Sequence, residues 1–432
     1  MEAAGMAVPL ENDADAWRSS ARRNDRYRKE LSPLMRILYT AMKYDYGRPE
    51  QGLSFEHCNF YHSLLHMGHD IIYFDFMTLL QEHGKEFMNR RLAEVAKVEK
   101  PDLVFTVLFG DEFDPLTVRG LAQDQGITTV NWFCDDHWRF ERYSRHWGPC
   151  FTWIVTTASS AVPKYRALGH RNVIKSQWGC NDFLYRKLDV PLKYDVTFIG
   201  QPHGNRKQMI ETLQKSGIQV QVWGTGWESG RLSQEEMIRV FNQSRINLNL
   251  SNASVPDHTH TPTAPHETQL DQSVRSMLSR SLELTPFRDM INMTVKKLFP
   301  GAGGTSSLTD DSHPPLLAAH YGDQIKGRNF EIPGCGGFLL TGKADNLEQY
   351  YEIGKEVVSF TNVDDLIDKV RYYLAHDDER QAIAQSGYKR TIRDHTYTKR
   401  FTDIFQHMGL LTESTGNNTG QHARCGHTQQ VR

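Results

Sequence analysis

Three features are missing from the 432-residue sequence, and each absence narrows the class of protein. There is no run of eighteen apolar residues, so no membrane-spanning helix is predicted, and no integral membrane association is expected. Residues 1–34 lack the apolar stretch of a secretory signal, which favours a cytoplasmic location. The six cysteines are scattered without a CxxC pair, so reduced thiols are expected rather than a disulfide framework.

A strong excess of charge is missing as well. The formal net charge is −2, which gives no global attraction to nucleic acids or anionic membranes. A basic run at 18–29 is the one feature that favours a nucleic-acid-modifying transferase. A solvated tail explains that run more simply, so no nucleic-acid partner is expected.

The composition that remains is that of a globular protein with two cores. Hydrophobic residues make up 39% of the chain, charged residues 24% and aromatic residues 11%. A chain of this length exceeds one ordinary domain and suits two.

Residues 35–189 alternate short apolar runs with segments of helical spacing. Alternation of this kind predicts βαβ crossovers and a mainly parallel, doubly wound sheet. Ser54 is a plausible N-cap for the first helix. The predicted strands are 35–41, 69–74, 102–109, 128–133, 151–156 and 173–174, and the predicted helices are 54–68, 84–98 and 115–125.

A second alternation starts near residue 194 and predicts a second Rossmann-like domain over 190–409. Asn362 is expected to cap one of its helices, and a last helical stretch is predicted over 379–407. The predicted strands are 195–200, 219–223, 245–250, 330–340 and 357–360, and the other predicted helices are 206–216 and 233–243.

Three segments do not fit this alternation. The basic tail 1–34 and the tail 410–432 are predicted to be disordered. An insertion at 252–324 is rich in Ser, Thr, Pro and His at both ends, with helical spacing over 270–298. A loop of this length is normally disordered or functional.

Several motifs resemble, in sequence order, the CgeB-like group of GT-B glycosyltransferases, which is related to the large group 1 family. Residues 326–341 (KGRNFEIPGCGGFLLT) resemble the signature of the group. The resemblance runs from about 35 to 405, interrupted by the insertion, and includes WFCDDHW at 132–138, DVTFIGQPHGNR at 195–206, VWGTGW at 222–227, SRINLNLS at 244–251 and HTYTKR at 395–400.

The resemblance implies a cleft between two Rossmann-like domains that binds a nucleotide diphosphate sugar as donor. The second domain would hold the donor, and the first would hold a hydroxyl acceptor of unknown kind (a glycan, a protein or a small molecule). Retention of configuration is expected, with no metal and no cofactor required. The open alternative is a catalytically degenerate GT-B protein that binds a nucleotide or sugar without turnover.

The donor residues are expected in the motifs of the second domain. Arg206 and Lys326 would hold the diphosphate, because cations and backbone N–H groups at loop-to-helix junctions stabilise such charge. Arg328 and Asn329 belong to the same segment as Lys326. The alternative is that these cations are ordinary surface charges.

Glu331 resembles the second glutamate of the paired-glutamate motif of retaining group 1 enzymes, and would bind the ribose hydroxyls. The first glutamate would fall where this chain has Asp323, one methylene shorter, so the contact with the donor sugar is open. The alternative for Glu331 is an acid stabilised by a helix N-terminus.

Glycines are expected where the backbone approaches the donor closely or turns tightly. They are Gly200, Gly224, Gly336 and Gly337.

In the first domain, Asp135, Asp136 and His137 follow directly on a predicted strand and are the candidate catalytic residues. A carboxylate or imidazole there could take the proton of the acceptor or steady the donor sugar. Capping of a helix is an equally good explanation for one of the two aspartates. The loop 43–53 and His57 could line the acceptor pocket.

Overall fold

The computed structural model describes residues 34–251 and 324–411. The predicted disordered tails and the insertion, with Asp323 at its end, therefore lie almost entirely outside the described residues. The described chain forms two α/β units, each built on one parallel sheet, as the sequence predicts.

The first sheet has six parallel strands in the order β2-β1-β3-β4-β5-β6. Strand β1 illustrates why the pattern is a continuous apolar run: four of its five residues are buried, because helices cover both faces of a parallel sheet. The strands are β1 Arg36–Thr40, β2 Asp70–Phe74, β3 Leu103–Thr106, β4 Thr128–Phe133, β5 Trp153–Thr156 and β6 Val173–Lys175.

The helices of the first unit connect these strands. Ser54 accepts a hydrogen bond from the His57 amide at 3.0 Å, which confirms it as the cap of the first helical segment. That segment is a π-turn, His57–Tyr61, that continues as α1 His62–His66. The others are α2 Phe76–His83, α3 Lys85–Glu99, α4 Pro115–Gln123, α5 Asp136–Arg139, α6 Arg145–Trp147 and α7 Ala161–Ala167.

The second sheet has five parallel strands in the order β11-β10-β9-β7-β8. Two of its helices begin at side-chain caps: Ser233 and Glu236 form a reciprocal capping box, and the predicted cap Asn362 accepts from the Asp365 amide. The strands are β7 Tyr194–Ile199, β8 Val220–Trp223, β9 Ser244–Asn249, β10 Leu339–Gly342 and β11 Val358–Phe360. The helices are α8 Arg206–Lys215, α9 Gln234–Gln243, α10 Arg328–Gly334, α11 Val363–Ala375, α12 Asp377–Asp394 and α13 Tyr397–His407.

One predicted strand is wrong in its first half. Residues 330–340 form the end of helix α10 and then strand β10, which begins only at Leu339. Short buried apolar runs do not distinguish helix from strand by periodicity, and Pro333 near the end of α10 gives no strong signal there.

The final helix, α13, packs on the first sheet although it follows the second unit in the chain. Phe401 and Phe405 are fully buried in one cluster with Ile37, Tyr39 and Phe105 of strands β1 and β3. Burial of each phenylalanine contributes about 2–3 kcal/mol, so this helix couples the two units. The predicted domain boundary at 409 assigns the helix to the second unit by its position in the chain.

The chain crosses between the units twice, and the two crossings are hydrogen-bonded to each other. The Cys180 amide donates to the His395 carbonyl at 2.8 Å, and the Tyr397 amide donates to the Cys180 carbonyl at 3.0 Å. These crossings fix the carboxyl edges of the two sheets relative to each other.

Candidate active site between the two units

Side chains from the carboxyl edges of the two sheets meet across a cleft. The Gln324 amide donates to Asp135 at 3.5 Å, and Asn346 donates to the Ser159 hydroxyl at 2.8 Å. Arg231 forms an ion pair with Asp45. The sequence places ligand sites at this edge in doubly wound sheets, and the structure brings the two edges together.

On the side of the second unit, Asn329 holds the segment that carries Lys326. Asn329 is fully buried. Its side-chain oxygen Oδ1 accepts from the Lys326 backbone amide at 2.9 Å and from the Asn249 side-chain amide at 2.9 Å. Its amide donates to the Thr341 hydroxyl at 3.2 Å. This network ties the start of α10 to the ends of β9 and β10, so Asn329 acts through the backbone it positions.

Glu331 is fully buried on α10, and protein groups contact both of its oxygens. The Tyr185 hydroxyl donates to one oxygen at 2.7 Å, and the half-buried Arg328 pairs with the other. A carboxylate has about four lone-pair positions, so these donors leave room for further hydrogen bonds. A role for Glu331 at a ribose remains a prediction.

Arg206 lies at the start of α8 and connects two loops. Its guanidinium donates to the Leu250 carbonyl at 3.0 Å and to the Gln201 carbonyl at 3.1 Å. Burial lowers its pKa to about 10, so it is charged at neutral pH. The charge therefore lies at a helix N-terminus at the carboxyl edge of the sheet, which is a suitable place for an anion.

Gly200 and Gly224 bring the backbones of two loops into contact. A Cβ atom at Gly224 would lie 2.4 Å from the Gly200 carbonyl oxygen, and the φ angle of Gly224 is 142°. Both glycines are required by the packing of protein on protein, whatever ligand binds nearby.

Gly336 and Gly337 also have packing partners within the protein. A Cβ atom at Gly336 would lie 2.3 Å from the Lys187 side chain, and one at Gly337 would lie 2.9 Å from the Asn247 amide. Their close approach is therefore to the chain itself, and contact with a donor remains a prediction.

The three candidate catalytic residues of the first unit point in different directions. Asp136 is buried and accepts from the Tyr165 hydroxyl at 3.0 Å inside the first unit. Burial raises the pKa of Asp136 to about 6. Asp135 instead reaches Gln324 across the cleft.

His137 lies among charges from both units. Burial lowers its pKa to about 4; Asp345 opposes that shift, and Lys326 and Lys175 add to it. His137 is therefore neutral at pH 7, and its Nδ1 atom is buried without a hydrogen-bond partner among the described residues. A neutral imidazole can accept a proton or a hydrogen bond.

Two site residues were not identified from the sequence. Lys175 ends β6 and donates to the Tyr350 hydroxyl of the second unit at 3.1 Å; burial lowers its pKa to about 8. Glu56 is half-buried just after the loop 43–53. The rule that ligands bind beyond strand ends could have found Lys175, whereas Glu56 depends on residues distant in sequence.

His57, which the sequence suggested as a lining residue, is buried against the Tyr61 and Tyr73 rings. No group of three possible metal ligands occurs within 34–251 and 324–411. In the same described ranges, no helix has both the length and the apolar character to cross a membrane.

Comparisons with known proteins agree with the motifs. A family model for glycosyl transferase-like proteins matches residues 206–266 and 305–406. Spore protein CgeB of Bacillus subtilis is 22% identical over 249 residues, which are 56% of this chain and 64% of CgeB. The match thus spans less than two thirds of that relative.

Solved structures share the fold at low sequence identity. HepE of Anabaena, in complex with UDP and glucose, has a TM-score of 0.51 at 8% identity, covering 87% of this chain and 99% of HepE. A glycosyltransferase from Rickettsia africae has a TM-score of 0.50 at 10% identity, covering 87% and 98%. By its motifs, its family-model match and its two parallel-sheet units, the chain is similar to the CgeB-like group of the group 1 glycosyltransferases and has the GT-B fold.

Proposed function

We propose that this protein transfers a glycosyl group from a nucleoside diphosphate sugar to a hydroxyl acceptor. The observation that carries the proposal is that Lys326, on the donor segment, lies close enough to His137 of the first unit for its charge to add to the lowering of the His137 pKa. A cation beside the leaving diphosphate stabilises the charge that develops there, and the imidazole lies on the acceptor side. HepE, solved with UDP-glucose and with UDP and glucose, supports this class of donor.

In this proposal Lys326 and Arg206 hold the diphosphate and Glu331 binds the ribose. The two cations supply the charge that a divalent ion would otherwise supply, so the reaction proceeds without a metal or a further cofactor. Addition of EDTA should leave the rate unchanged, and a loss that Mg²⁺ restores would contradict this part of the proposal. The cytoplasmic location stays a prediction, checked by cell fractionation.

The resemblance of Glu331 predicts that the anomeric configuration is retained. Proton NMR of the product at the anomeric position, recorded early in the reaction, measures the outcome directly. An inverted product would contradict this prediction and leave the proposed transfer intact.

A binding protein without turnover is the second candidate, and the contacts of Glu331 with Arg328 and Tyr185 favour it. Incubation with UDP-, GDP-, dTDP- and ADP-sugars separates the two candidates. Release of nucleoside diphosphate, lost in Glu331→Ala, supports the enzyme. Binding without release supports the second candidate.

A further inference from the structure

Glu56 lies on the first unit, at the point where that unit touches the donor segment. Its backbone carbonyl accepts from the Tyr39 hydroxyl of β1 at 3.0 Å, which fixes the first turn of the helical segment. The ring of the preceding residue, Phe55, packs on the second unit: a Cβ atom at Gly327 would lie 3.0 Å from it. Gly327 directly follows Lys326.

Three carboxyl groups come together at this place, and two of them have partners in the second unit. Asp45 forms an ion pair with Arg231, and Asp135 accepts from Gln324. Glu56 forms no ion pair among residues 34–251 and 324–411. It is half-buried, which leaves part of its side chain accessible.

The surroundings of Glu56 are costly for a charge. Burial, together with the charges of Asp45 and Asp135, raises the pKa of the Glu56 carboxyl to about 7. Hydrogen bonds from the Glu56 backbone N–H and from the Ser54 side chain oppose part of this rise. Groups with such a raised pKa cluster at functional sites. The titratable and charged groups whose electrostatic interactions link them to Glu56 or to its immediate neighbours are Tyr39, Asp45, Tyr46, Cys58, Tyr73, Cys134, Asp135, Arg231 and Glu331.

We propose that the Glu56 carboxylate binds the hydroxyl of the acceptor and orients it towards the sugar that the second unit holds. The inference rests on the proposed function and assigns its acceptor side to one group. An ionised carboxylate only accepts hydrogen bonds, and charge-assisted bonds to hydroxyl groups are short and strong. Acceptor binding should therefore strengthen as Glu56 ionises.

The test compares Glu56→Gln with Glu86→Gln. Glutamine keeps the size of the side chain and removes the charge. Glu86 is an exposed acid in the first turn of α3 in the same unit, which makes its variant a matched control. The probes are UDP-glucose as donor and glycerol as hydroxyl acceptor, with UDP used alone to measure donor-side binding.

Glu56→Gln should lower kcat/KM for glycerol about 10–100-fold, the effect of losing one charged hydrogen bond. The Kd for UDP should stay within about twofold of wild type, which a general structural defect would not allow. In wild type, kcat/KM for glycerol should rise as pH increases through about 7, and this rise should be absent in Glu56→Gln. Glu56→Asp, which keeps the charge, should retain the rise.

Two results would overturn the role of Glu56 and leave the proposed function intact. One is glycerol transfer by Glu56→Gln at the wild-type rate and pH profile; the other is a loss of UDP binding in Glu56→Gln as large as its loss of glycerol transfer. If wild-type protein binds UDP but forms no product with UDP-glucose or the other nucleotide sugars, the proposed function fails and this inference with it. The wild-type measurement therefore separates the two failures.

Discussion

Glu331 and Glu56 carry carboxyl groups on opposite sides of the same cleft, and the groups that surround the two carboxyls differ. Glu331 is fully buried but contacts Tyr185 and Arg328, so its charge is compensated. Glu56 is half-buried beside two other acids, so its charge is opposed. The proposed donor side of the cleft is thus hydrogen-bonded in advance, whereas the proposed acceptor side holds a group that a substrate could stabilise.

The largest effect on the free energy of unfolding is expected on the proposed donor side. Glu331→Gln should lower the free energy of unfolding by about 2–3 kcal/mol, because it leaves Arg328 without its charged partner. Arg328 is half-exposed, which keeps the loss at the low end of values for buried pairs. Urea unfolding measures it, with the exposed Glu348→Gln as control. Equal stability of both variants would show that the ion pair does not hold Glu331.

The second-largest loss of stability is expected where the loops of Gly200 and Gly224 touch. Gly224→Ala should cost about 2 kcal/mol, because the new methyl group would overlap the Gly200 carbonyl and the φ angle is strained. Gly230→Ala is the control for strain alone, since its φ angle is also positive and no atom lies near its Cβ position. Equal losses in thermal or urea unfolding would mean that the loops do not touch.

On the proposed acceptor side, removal of a carboxyl charge should raise the free energy of unfolding instead of lowering it. The folded-state pKa of Glu56 lies above its ordinary value of 4.5, so stability is lost as pH rises from about 4.5 to 7. Glu56→Gln should therefore be more stable than wild type at pH 8, by about 1 kcal/mol after allowance for solvent screening. The two proteins should be equally stable at pH 4. A destabilised variant at pH 8 would contradict the comparison.

The last effect on stability concerns His137 and is of similar size. Its folded-state pKa of about 4 lies below the ordinary 6.5, so the stability of the neutral form is lost as pH falls from 6.5 to 4. His137→Asn should reduce that loss by about 1 kcal/mol. His69 and His395, whose pKa burial also lowers to about 4, should supply the remainder. An unchanged pH dependence of urea unfolding would place His137 in contact with solvent.

Local signals in the sequence predicted most of the fold. Ser54 and Asn362 were identified as caps because a cap acts on amides two or three residues away. Residues 330–334 of α10 were misassigned to a strand because a short buried run has the same apolar pattern in a helix and a strand. The packing of α13 on the first sheet depends on contacts with β1 and β3, more than 290 residues earlier in the chain.

Only those parts of the site that local sequence patterns determine could be predicted. The position of Asp135 just after a strand follows from doubly wound topology, whereas Lys326 was expected from the family resemblance; the structure brings both to the cleft. Neighbouring residues such as Asp136 and His137 differ only in side-chain direction, which no short pattern determines. The pKa of Glu56 is raised by burial and by the charges of Asp45 and Asp135, and only the folded chain brings these groups together.

In the proposed division of the cleft, the second unit binds the nucleotide and Glu56 binds the acceptor. Calorimetric titration of UDP into wild type, Lys326→Gln and Glu56→Gln tests it most directly. Lys326→Gln should weaken UDP binding about tenfold, by loss of a charge-assisted contact, and Glu56→Gln should bind UDP as wild type does. Wild-type affinity in Lys326→Gln, with weakened binding in Glu56→Gln, would contradict it.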